Sequence, residues 1–477
     1  MSTSIPGVPW SSGVTRDQAG ALVVAGVPVA RLAAEVGTPA YVLDEADVRS
    51  RAAAYRHAFE AAFAEVGAPG VDVYYAGKAF LSVAVARWVH DEGLRVDTAT
   101  GGELAVALRA GVPGADLGLH GNNKSDDELA AALDAGVGRI IVDSLVEVER
   151  LAALVRTRGG APAPVMVRVT TGVHAGGHEY ISTAHEDQKF GLSLAPGTGV
   201  VAAGWTSHRD ATGTPPTDAR TEDSAAMVAL LAVLAAPELR LLGIHSHIGS
   251  QILDPSGFAV AARAVLRLRA DLAARTGVLV DEVDLGGGYG IAYLPGEVPL
   301  DPDRIAKDVA ASVAAAAAEL GTPLPRISIE PGRAIVGTAG LTLYTVGTVK
   351  PVQVDDETVR LYVSVDGGMS DNIRTALYDA SYHAEVVGRL SSAEPVLARV
   401  VGKHCESGDI VVRDVLLPAD VRAGDLLAVA ATGAYHRVMA SNYNQVPRPP
   451  VVAVRDGEVR TLLRRETVAD LLALDQG

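Results

Sequence analysis

Residues 71–101 read VDVYYAGKAFLSVAVARWVHDEGLRVDTATG and contain the pattern that decides the fold. Two short runs rich in β-branched and aromatic residues flank an alanine- and valine-rich stretch, so the segment predicts a strand, a helix and a second strand. Strands that alternate with helices of this length are typical of βα units on a parallel sheet. This part of the chain is therefore predicted to be α/β.

The same alternation continues to residue 332. Stretches such as SDDELAAALDAG (125–136) have an N-cap serine, early acidic residues and a closing glycine, as amphipathic helices do. Eight βα units favour a closed, TIM-like (β/α)8 barrel over an open sheet. The eight predicted strands are 71–78, 94–99, 117–121, 139–144, 165–170, 241–249, 282–290 and 326–332.

The pattern changes after Gly332, where strands rich in threonine and valine follow one another with few long helices between them. This indicates a mainly antiparallel β domain. We expect residues 1–44 to form a tail and strand region that packs with this domain, 45–325 to form the barrel, and 326–477 to form the β domain. Segment 195–222 reads as a surface insertion and residues 1–20 as a mobile tail.

Composition excludes several classes of protein. The 41 Lys and Arg residues against 57 Asp and Glu residues give a net charge of −16, which argues against a nucleic-acid binder. Cys405 is the only cysteine, so the chain has no intrachain disulfide and fits a reducing cytoplasm. The N-terminus lacks the pattern of a signal peptide, and the longest apolar stretch, 224–237, is too short to span a bilayer. We expect a soluble cytoplasmic protein.

Unusual polar residues follow several predicted strands, at the barrel end where active sites form. Lys78 follows the apolar run of the first strand. An isolated lysine there usually reaches to solvent, but a partly desolvated lysine amine can also form a Schiff base. His245 and His247 lie at i and i+2 of the sixth strand, where they could bind a metal, although no acidic cluster accompanies them. His247 could equally stack on a planar cofactor.

The last two strands end in a glycine run and an acid. The seventh ends DLGGGYG, where Gly286, Gly287 and Gly288 leave backbone N–H groups open to an anion. The eighth ends IEPGR, which places Glu330 on an otherwise apolar strand, where it needs a partner such as a protonated ring nitrogen. A lysine, a glycine cradle, a histidine and a glutamate on one rim together predict a pyridoxal 5'-phosphate site.

Ten motifs then follow one another between about residues 41 and 447, in the order in which they occur in the diaminopimelate decarboxylase family. The chain resembles this family, whose fold is of the alanine-racemase-like type. HCESGD is the most discriminating motif, because related ornithine- and arginine-type decarboxylases differ there. The motifs are YYAGKA, VDTATGGEL, HGNNKS, HEDQKFGL, GIHSHIGSQI, DLGGGYG, EPGRAIV, SVDGGMSDNIRTALYDASYHA, GKHCESGD and GAYHRVMASNYN.

The resemblance implies roles for individual residues. Lys78 would attach the cofactor covalently, His247 would pack against its ring and Cys405 would protonate the substrate carbanion. The cofactor site would further include Asp97, Ser250, Gly286, Gly287, Gly288, Glu330, Arg333 and Tyr435. The substrate would contact Arg333, Arg374, Tyr378, Glu406 and Tyr435, with arginine holding its distal carboxylate and Glu406 its distal ammonium. In the family Cys405 and Glu406 belong to the partner subunit, which implies a homodimer with shared sites. We expect no metal, since no acidic cluster accompanies the two histidines.

The implied reaction is decarboxylation of meso-2,6-diaminopimelate at its D-configured centre to give L-lysine, the last step of lysine biosynthesis. Ornithine lacks a distal carboxylate and would leave Arg374 unpaired. Three alternatives stay open: a decarboxylase of another basic amino acid, an inactive relative that acts as a regulatory binding protein, and a metal-dependent barrel hydrolase.

Overall fold

A computed structural model of the chain describes residues 9–172, 188–199, 202 and 219–477. Its strands are β1 Val14–Arg16, β2 Leu22–Val24, β3 Val27–Pro28, β4 Ala40–Asp44, β5 Val71–Ala76, β6 Arg95–Thr98, β7 Leu117–Leu119, β8 Arg139–Val142, β9 Ala163–Thr170, β10 Leu192–Ser193, β11 Leu239–Ser246, β12 Glu282–Asp284, β13 Arg326–Ile329, β14 Gly340–Gln353, β15 Val359–Val365, β16 Ala384–Val386, β17 Pro395–Val401, β18 Ile410–Pro418, β19 Leu426–Val429, β20 Val451–Arg455 and β21 Glu458–Leu463.

The helices of the described ranges are α1 Val29–Val36, α2 Glu45–Glu65, α3 Val83–Asp91, α4 Gly101–Arg109, α5 Asp126–Ala135, α6 Leu145–Arg158, α7 Ala225–Ala235, α8 Ser256–Thr276, α9 Pro302–Glu319, α10 Arg333–Val336, α11 Arg374–Tyr378 and α12 Val468–Leu472. None of them is long and apolar enough to cross a membrane.

Eight parallel strands close into a barrel, which confirms the predicted fold. They pair in the order β9, β11, β12, β13, β5, β6, β7, β8, and β8 pairs with β9 to close the ring. Most predicted strands extend too far at their C-terminal ends. The strand predicted at 282–290 ends at Asp284, because Gly286 and Gly288 take positive φ angles of 70° and 111° that an extended strand does not use.

Side-chain caps start the helices soon after the strands end. Five helices of the barrel unit begin after a serine or threonine whose hydroxyl accepts the backbone N–H three residues further on, and each such cap stabilises a helix by about 1 kcal/mol. The capping residues are Ser82, Thr100, Ser125, Ser144 and Ser224. The short connections keep the strand-end residues of the barrel close to helix N-termini.

The second unit is built on a mainly antiparallel sheet, as predicted. Its strand order is β18, β17, β15, β14, β4, β20, β21, and β19 pairs with both β14 and β16. β4, from the start of the chain, lies between β14 and β20, and the β4–β20 and β15–β17 pairs are parallel. Trp10, Val14 and Leu22 are buried in one core with residues of β14, β19 and β20.

The boundaries of the two units differ from the expected ones. The barrel unit comprises Ala52–Gly290 and Leu300–Pro331, and the second unit comprises the described residues up to Arg51, Ile291–Pro299 and Gly332–Gly477. The boundary expected at 325 is too early, because β13 pairs with β12 and β5 in the barrel.

Two expectations about irregular segments have different outcomes. Residues 9–20 are not a mobile tail, since β1 pairs with β2 and Trp10 is buried. Residues 1–8 lie outside the described residues. So does most of the expected insertion at 195–222, of which only 195–199, 202 and 219–222 are described.

Candidate active site

Lys78 lies on the rim of the barrel, in one turn of 3-10 helix, Gly77–Ala79, that directly follows β5. A side chain at Gly77 would place its Cβ 2.7 Å from the Asp97 carbonyl oxygen, so only glycine lets β5 and β6 end this close together. The Lys78 side chain is exposed in the single chain.

A cavity of about 110 Å³ brings four of the expected residues of the barrel unit together. Lys78, Asp97, His247 and Glu330 all line it. The remaining lining residues are Ala76, Gly77, Thr98, Ala99, Glu103, His120, Gly121, Arg168, Phe190 and His245. The strand-end lysine, the histidine and the acid therefore share one site, as the sequence pattern predicts.

Glu330 is a buried carboxylate with three nitrogen partners. Its Oε1 lies 3.1 Å from His245 Nε2, 3.2 Å from His120 Nε2 and 3.3 Å from Arg139 Nη2. Burial alone would raise the pKa of Glu330, but the neighbouring imidazoles, His120 above all, hold that pKa well below its usual range. Glu330 is therefore an anion at neutral pH, as a partner for a protonated ring nitrogen must be.

Arg139 supports this carboxylate from the buried side. Its side chain is 1% exposed, and Nη1 lies 2.6 Å from Asp284 Oδ2 and donates a 2.9 Å hydrogen bond to Ser328 Oγ. The guanidinium carbon lies 3.3 Å from the centre of the Tyr74 ring, a cation–π contact. Burial and the neighbouring Glu330 raise the pKa of Asp284 to about 8, so this carboxyl group is mostly protonated at neutral pH. Arg139 therefore faces fewer negative charges than the number of carboxyl groups around it.

We expect Arg139→Met to destabilise the protein by about 3–5 kcal/mol, because it leaves buried carboxylates without their cation. Unfolding by urea measures the change. Arg150 pairs with Asp126 at the surface, so Arg150→Met should cost less than about 1 kcal/mol. An Arg139→Met protein as stable as the Arg150→Met control would contradict the role of Arg139.

His245 and His247 contact different partners. His245 faces Glu330, while His247 Nδ1 accepts a 3.2 Å hydrogen bond from the Gly287 N–H. Burial, together with the charge of Lys78, lowers the pKa of His247 well below its usual range, so its imidazole is neutral. Arg139 is a permanent cation beside Glu330.

The glycine run forms a tight turn that excludes side chains. A Cβ at Gly287 would lie 2.2 Å from the Glu330 carbonyl oxygen, and one at Gly288 would lie 2.6 Å from the Gly249 carbonyl oxygen. The half-buried Ser250 follows Gly249 in the chain. A lysine amine, a neutral imidazole, an anionic carboxylate and a backbone cradle without side chains are the groups that pyridoxal phosphate requires. The residues present therefore fit this cofactor.

The second unit holds an arginine and tyrosine cluster. Arg333 donates a hydrogen bond to the Tyr293 hydroxyl, and its guanidinium lies 4.6 Å from the Tyr435 ring centre. Arg374 Nε donates a 2.7 Å hydrogen bond to the Tyr382 hydroxyl, and its guanidinium lies 5.2 Å from the Tyr378 ring centre and 5.6 Å from that of Tyr435. The expected residues Arg333, Arg374, Tyr378 and Tyr435 are thus brought together.

Arg374 has no acidic partner within the described part of the chain. It is 6% exposed, and no carboxylate oxygen of the described residues lies within salt-bridge distance of it. A buried guanidinium without a counter-ion is costly, so this position favours an anionic ligand.

Cys405 and Glu406 are exposed in the single chain. The Cys405 N–H donates a 3.1 Å hydrogen bond to Asn444 Oδ1, and Glu406 Oε1 accepts a 3.1 Å hydrogen bond from the Gly408 N–H. The described chain alone therefore does not enclose either side chain.

Several functional candidates escaped the sequence reasoning. They are His120, Arg139, Glu103 and Arg168 in the barrel unit and Tyr293 and Tyr382 in the second unit. His120 directly follows β7, so the strand-end argument that found Lys78 could have found it as well. Arg139 begins β8, where a charged residue in a buried strand was the available signal.

The fold and this cavity define an enzyme of the pyridoxal phosphate class. In agreement, the family model described as "Pyridoxal-dependent decarboxylase, pyridoxal binding domain" matches residues 45–208 and 219–337.

Full-length relatives narrow the class further. The diaminopimelate decarboxylase of Mycobacterium tuberculosis is 50% identical over 470 residues, which cover 98% of this chain and 97% of that protein. The crystal structure of the M. jannaschii diaminopimelate decarboxylase in complex with L-lysine has a TM-score of 0.82 at 29% identity and covers 98% of both chains. The Helicobacter pylori enzyme with L-lysine has a TM-score of 0.77 at 27% identity, with 94% and 98% covered. The chain belongs to the diaminopimelate decarboxylase family.

Proposed function

We propose that the protein removes CO2 from meso-2,6-diaminopimelate and releases L-lysine, the last step of lysine biosynthesis. Relatives of nearly the same length have this name, and related structures hold lysine. The structural observation that carries the proposal is the buried Arg374 without a carboxylate partner among the described residues. Diaminopimelate has a distal carboxylate that such an arginine can bind, whereas ornithine does not.

When bound, pyridoxal phosphate supplies an electron sink for the bond that breaks at the substrate Cα. Lys78 would hold the cofactor covalently, and the anionic Glu330 would accept a hydrogen bond from its protonated ring nitrogen. The neutral His247 would pack on the ring. Phosphate contacts would come from Ser250, the three glycines Gly286, Gly287 and Gly288, Arg333 and Tyr435, and Asp97 would lie close to the ring.

The substrate would be held at its distal end by charged groups. Arg333, Arg374 and Tyr378 would bind the distal carboxylate, with Tyr435 nearby, and Glu406 would bind the distal ammonium. Cys405 would deliver a proton to the carbon that loses CO2. Both Cys405 and Glu406 are exposed in the single chain, which supports their contribution to a partner subunit in a homodimer. A lone reduced cysteine fits the cytoplasm.

We expect Arg374→Gln to raise KM for meso-diaminopimelate by roughly 10²-fold, because a charge-assisted bidentate contact is lost. Any residual turnover of ornithine should not fall. Arg413, which forms an exposed pair with Asp379, provides the control Arg413→Gln. Equal KM values for the two variants would remove the argument for a dicarboxylate substrate. Wild-type enzyme that turned over ornithine or arginine but not meso-diaminopimelate would contradict the proposal itself.

We expect Cys405→Ala to slow turnover by about 10²-fold or more while the cofactor still binds, because a proton donor is lost. Co-expression with Lys78→Ala tests the shared site. If each site uses Lys78 of one subunit and Cys405 of the other, the mixture should recover roughly a quarter of wild-type activity, since half of the dimers are mixed and each has one intact site. No recovery in dimers shown to be mixed would mean that each chain supplies its own Cys405.

A further inference from the structure

Four charged side chains in and just above the barrel interior, those of Asp97, His120, Arg139 and Glu330, form a closed ring of alternating charge, here called the charge ring. His120 Nε2 lies 3.2 Å from both Asp97 Oδ1 and Glu330 Oε1. Arg139 Nη2 lies 3.3 Å from the same two oxygens. Asp97 and Glu330 thus both contact His120 and Arg139, and Glu330 also contacts His245.

Arg139 and His120, the two cations of the charge ring, differ in how exposed they are. Arg139 is 1% exposed and is also engaged by Asp284 and Glu282, so it is a fixed part of the barrel interior. His120 is 12% exposed at its side chain and lines the same cavity as Lys78. The His120 side of the charge ring therefore faces the space that the cofactor would take.

His120 rather than His245 accepts the proton. The two imidazoles share one Glu330 oxygen and meet edge to face, with ring centres 5.1 Å apart, so charging both is unfavourable. Burial lowers the pKa of His120, but Glu330 and Asp97 outweigh it and raise that pKa to about 9. Burial lowers the pKa of His245 to about 3. The titratable or charged groups around His120 are Asp97, Glu103, Arg139, His245 and Glu330.

We propose that His120 is a positioning residue for Glu330: its imidazolium, placed between Asp97 and Glu330, keeps the Glu330 carboxylate ionised and in one position at the cofactor cavity. That Glu330 would contact the ring nitrogen of pyridoxal phosphate rests on the proposed function. The contacts of the charge ring are made by this chain's own residues and do not rest on it.

Loss of the His120 charge changes the balance around both acids. Asp97 and Glu330 would then share the one guanidinium of Arg139, which also serves Asp284 and Glu282. Buried carboxylates with too few cations take up a proton. A protonated Glu330 could no longer accept a hydrogen bond from a protonated ring nitrogen, so the cofactor would be a weaker electron sink.

The first test uses the full-length chain without cofactor, labelled with 13C at its 12 histidines. We expect one imidazole signal to titrate at about pH 9, to disappear in His120→Gln, and to move toward the ordinary range in Asp97→Asn. If all imidazoles of the wild-type protein titrate in the ordinary range or below it, the proposal is overturned. This readout needs neither cofactor nor substrate, so it stands apart from failure of the proposed function.

The second test uses His120→Gln loaded with pyridoxal phosphate. We expect kcat to fall about tenfold or more, because a Glu330 that takes up a proton no longer accepts the hydrogen bond of the ring nitrogen, with KM within about twofold. The pH dependence of the cofactor absorbance should shift as well, which a merely structural role would not cause. His90 pairs with Asp116 away from the cavity residues and gives the control His90→Gln. A His120→Gln protein with the kcat and spectrum of the wild type would contradict the proposal. If this variant does not fold, the histidine titration of the wild-type protein tests the proposal by itself.

Discussion

Lys78→Ala is expected to lose lysine formation by at least about 10³-fold, because the group that holds the cofactor covalently is removed. The visible absorbance of the bound cofactor should disappear at the same time. Lys78 is exposed and lies in a short turn after β5, so its truncation should leave the fold intact. Lysine release from meso-diaminopimelate and the absorption spectrum of the dialysed protein measure both effects.

Lys307 on α9 is also exposed and gives a matched control. Lys307→Ala should retain the spectrum and the activity of the wild-type protein. A Lys78→Ala protein that kept the cofactor absorbance through dialysis would show that another amine holds the cofactor.

Glu330→Gln is expected to lower kcat by roughly 10²–10³-fold, because a neutral amide cannot replace an anion fixed in a buried site. The variant should also be less stable, since His120 and Arg139 lose one of the carboxylates they share. Glu319 forms an exposed pair with Arg263, so Glu319→Gln serves as the control. Steady-state kinetics and urea unfolding at neutral pH measure the two effects.

The acid dependence of stability gives Glu330→Gln a second signature. The pKa of Glu330 is held below its usual value of 4.5, so the carboxylate contributes stability above that pH and loses it as the pH falls through the folded-state pKa. His120 affects stability at high pH. Because its pKa is raised, its contribution to the free energy of unfolding is complete below about pH 6.5 and is lost as the pH rises through about 9. Glu330→Gln should therefore lose less stability than wild type on acidification. Equal losses would indicate that Glu330 is not charged in the folded protein.

The barrel could be predicted from the sequence because its pattern is local. Each strand candidate is a short apolar run next to a capped helix, and all eight are present in the closed sheet. The unit boundaries could not be predicted in this way. Ile291–Pro299 joins the second unit through contacts distant in sequence, which no local pattern reports.

The residues of the candidate site also divide into those that a local sequence pattern predicts and those that it does not. Lys78, His247 and Glu330 were predicted because unusual polar residues end apolar strands, and they line one cavity. Arg139 begins its strand and becomes significant only when Asp97, Asp284 and Glu330 surround it in three dimensions. His120 belongs to the motif HGNNKS, but its charge depends on Asp97 and Glu330, which are distant from it in the chain.

Lysine formation by the purified protein tests the central claim most directly. The protein is incubated with pyridoxal phosphate and meso-diaminopimelate, and L-lysine and CO2 are measured together, with ornithine and arginine in parallel reactions. We predict that L-lysine and CO2 form in equal amounts from meso-diaminopimelate, and that ornithine and arginine react far more slowly. No lysine from the wild-type protein loaded with cofactor, or faster turnover of ornithine or arginine, would contradict the account.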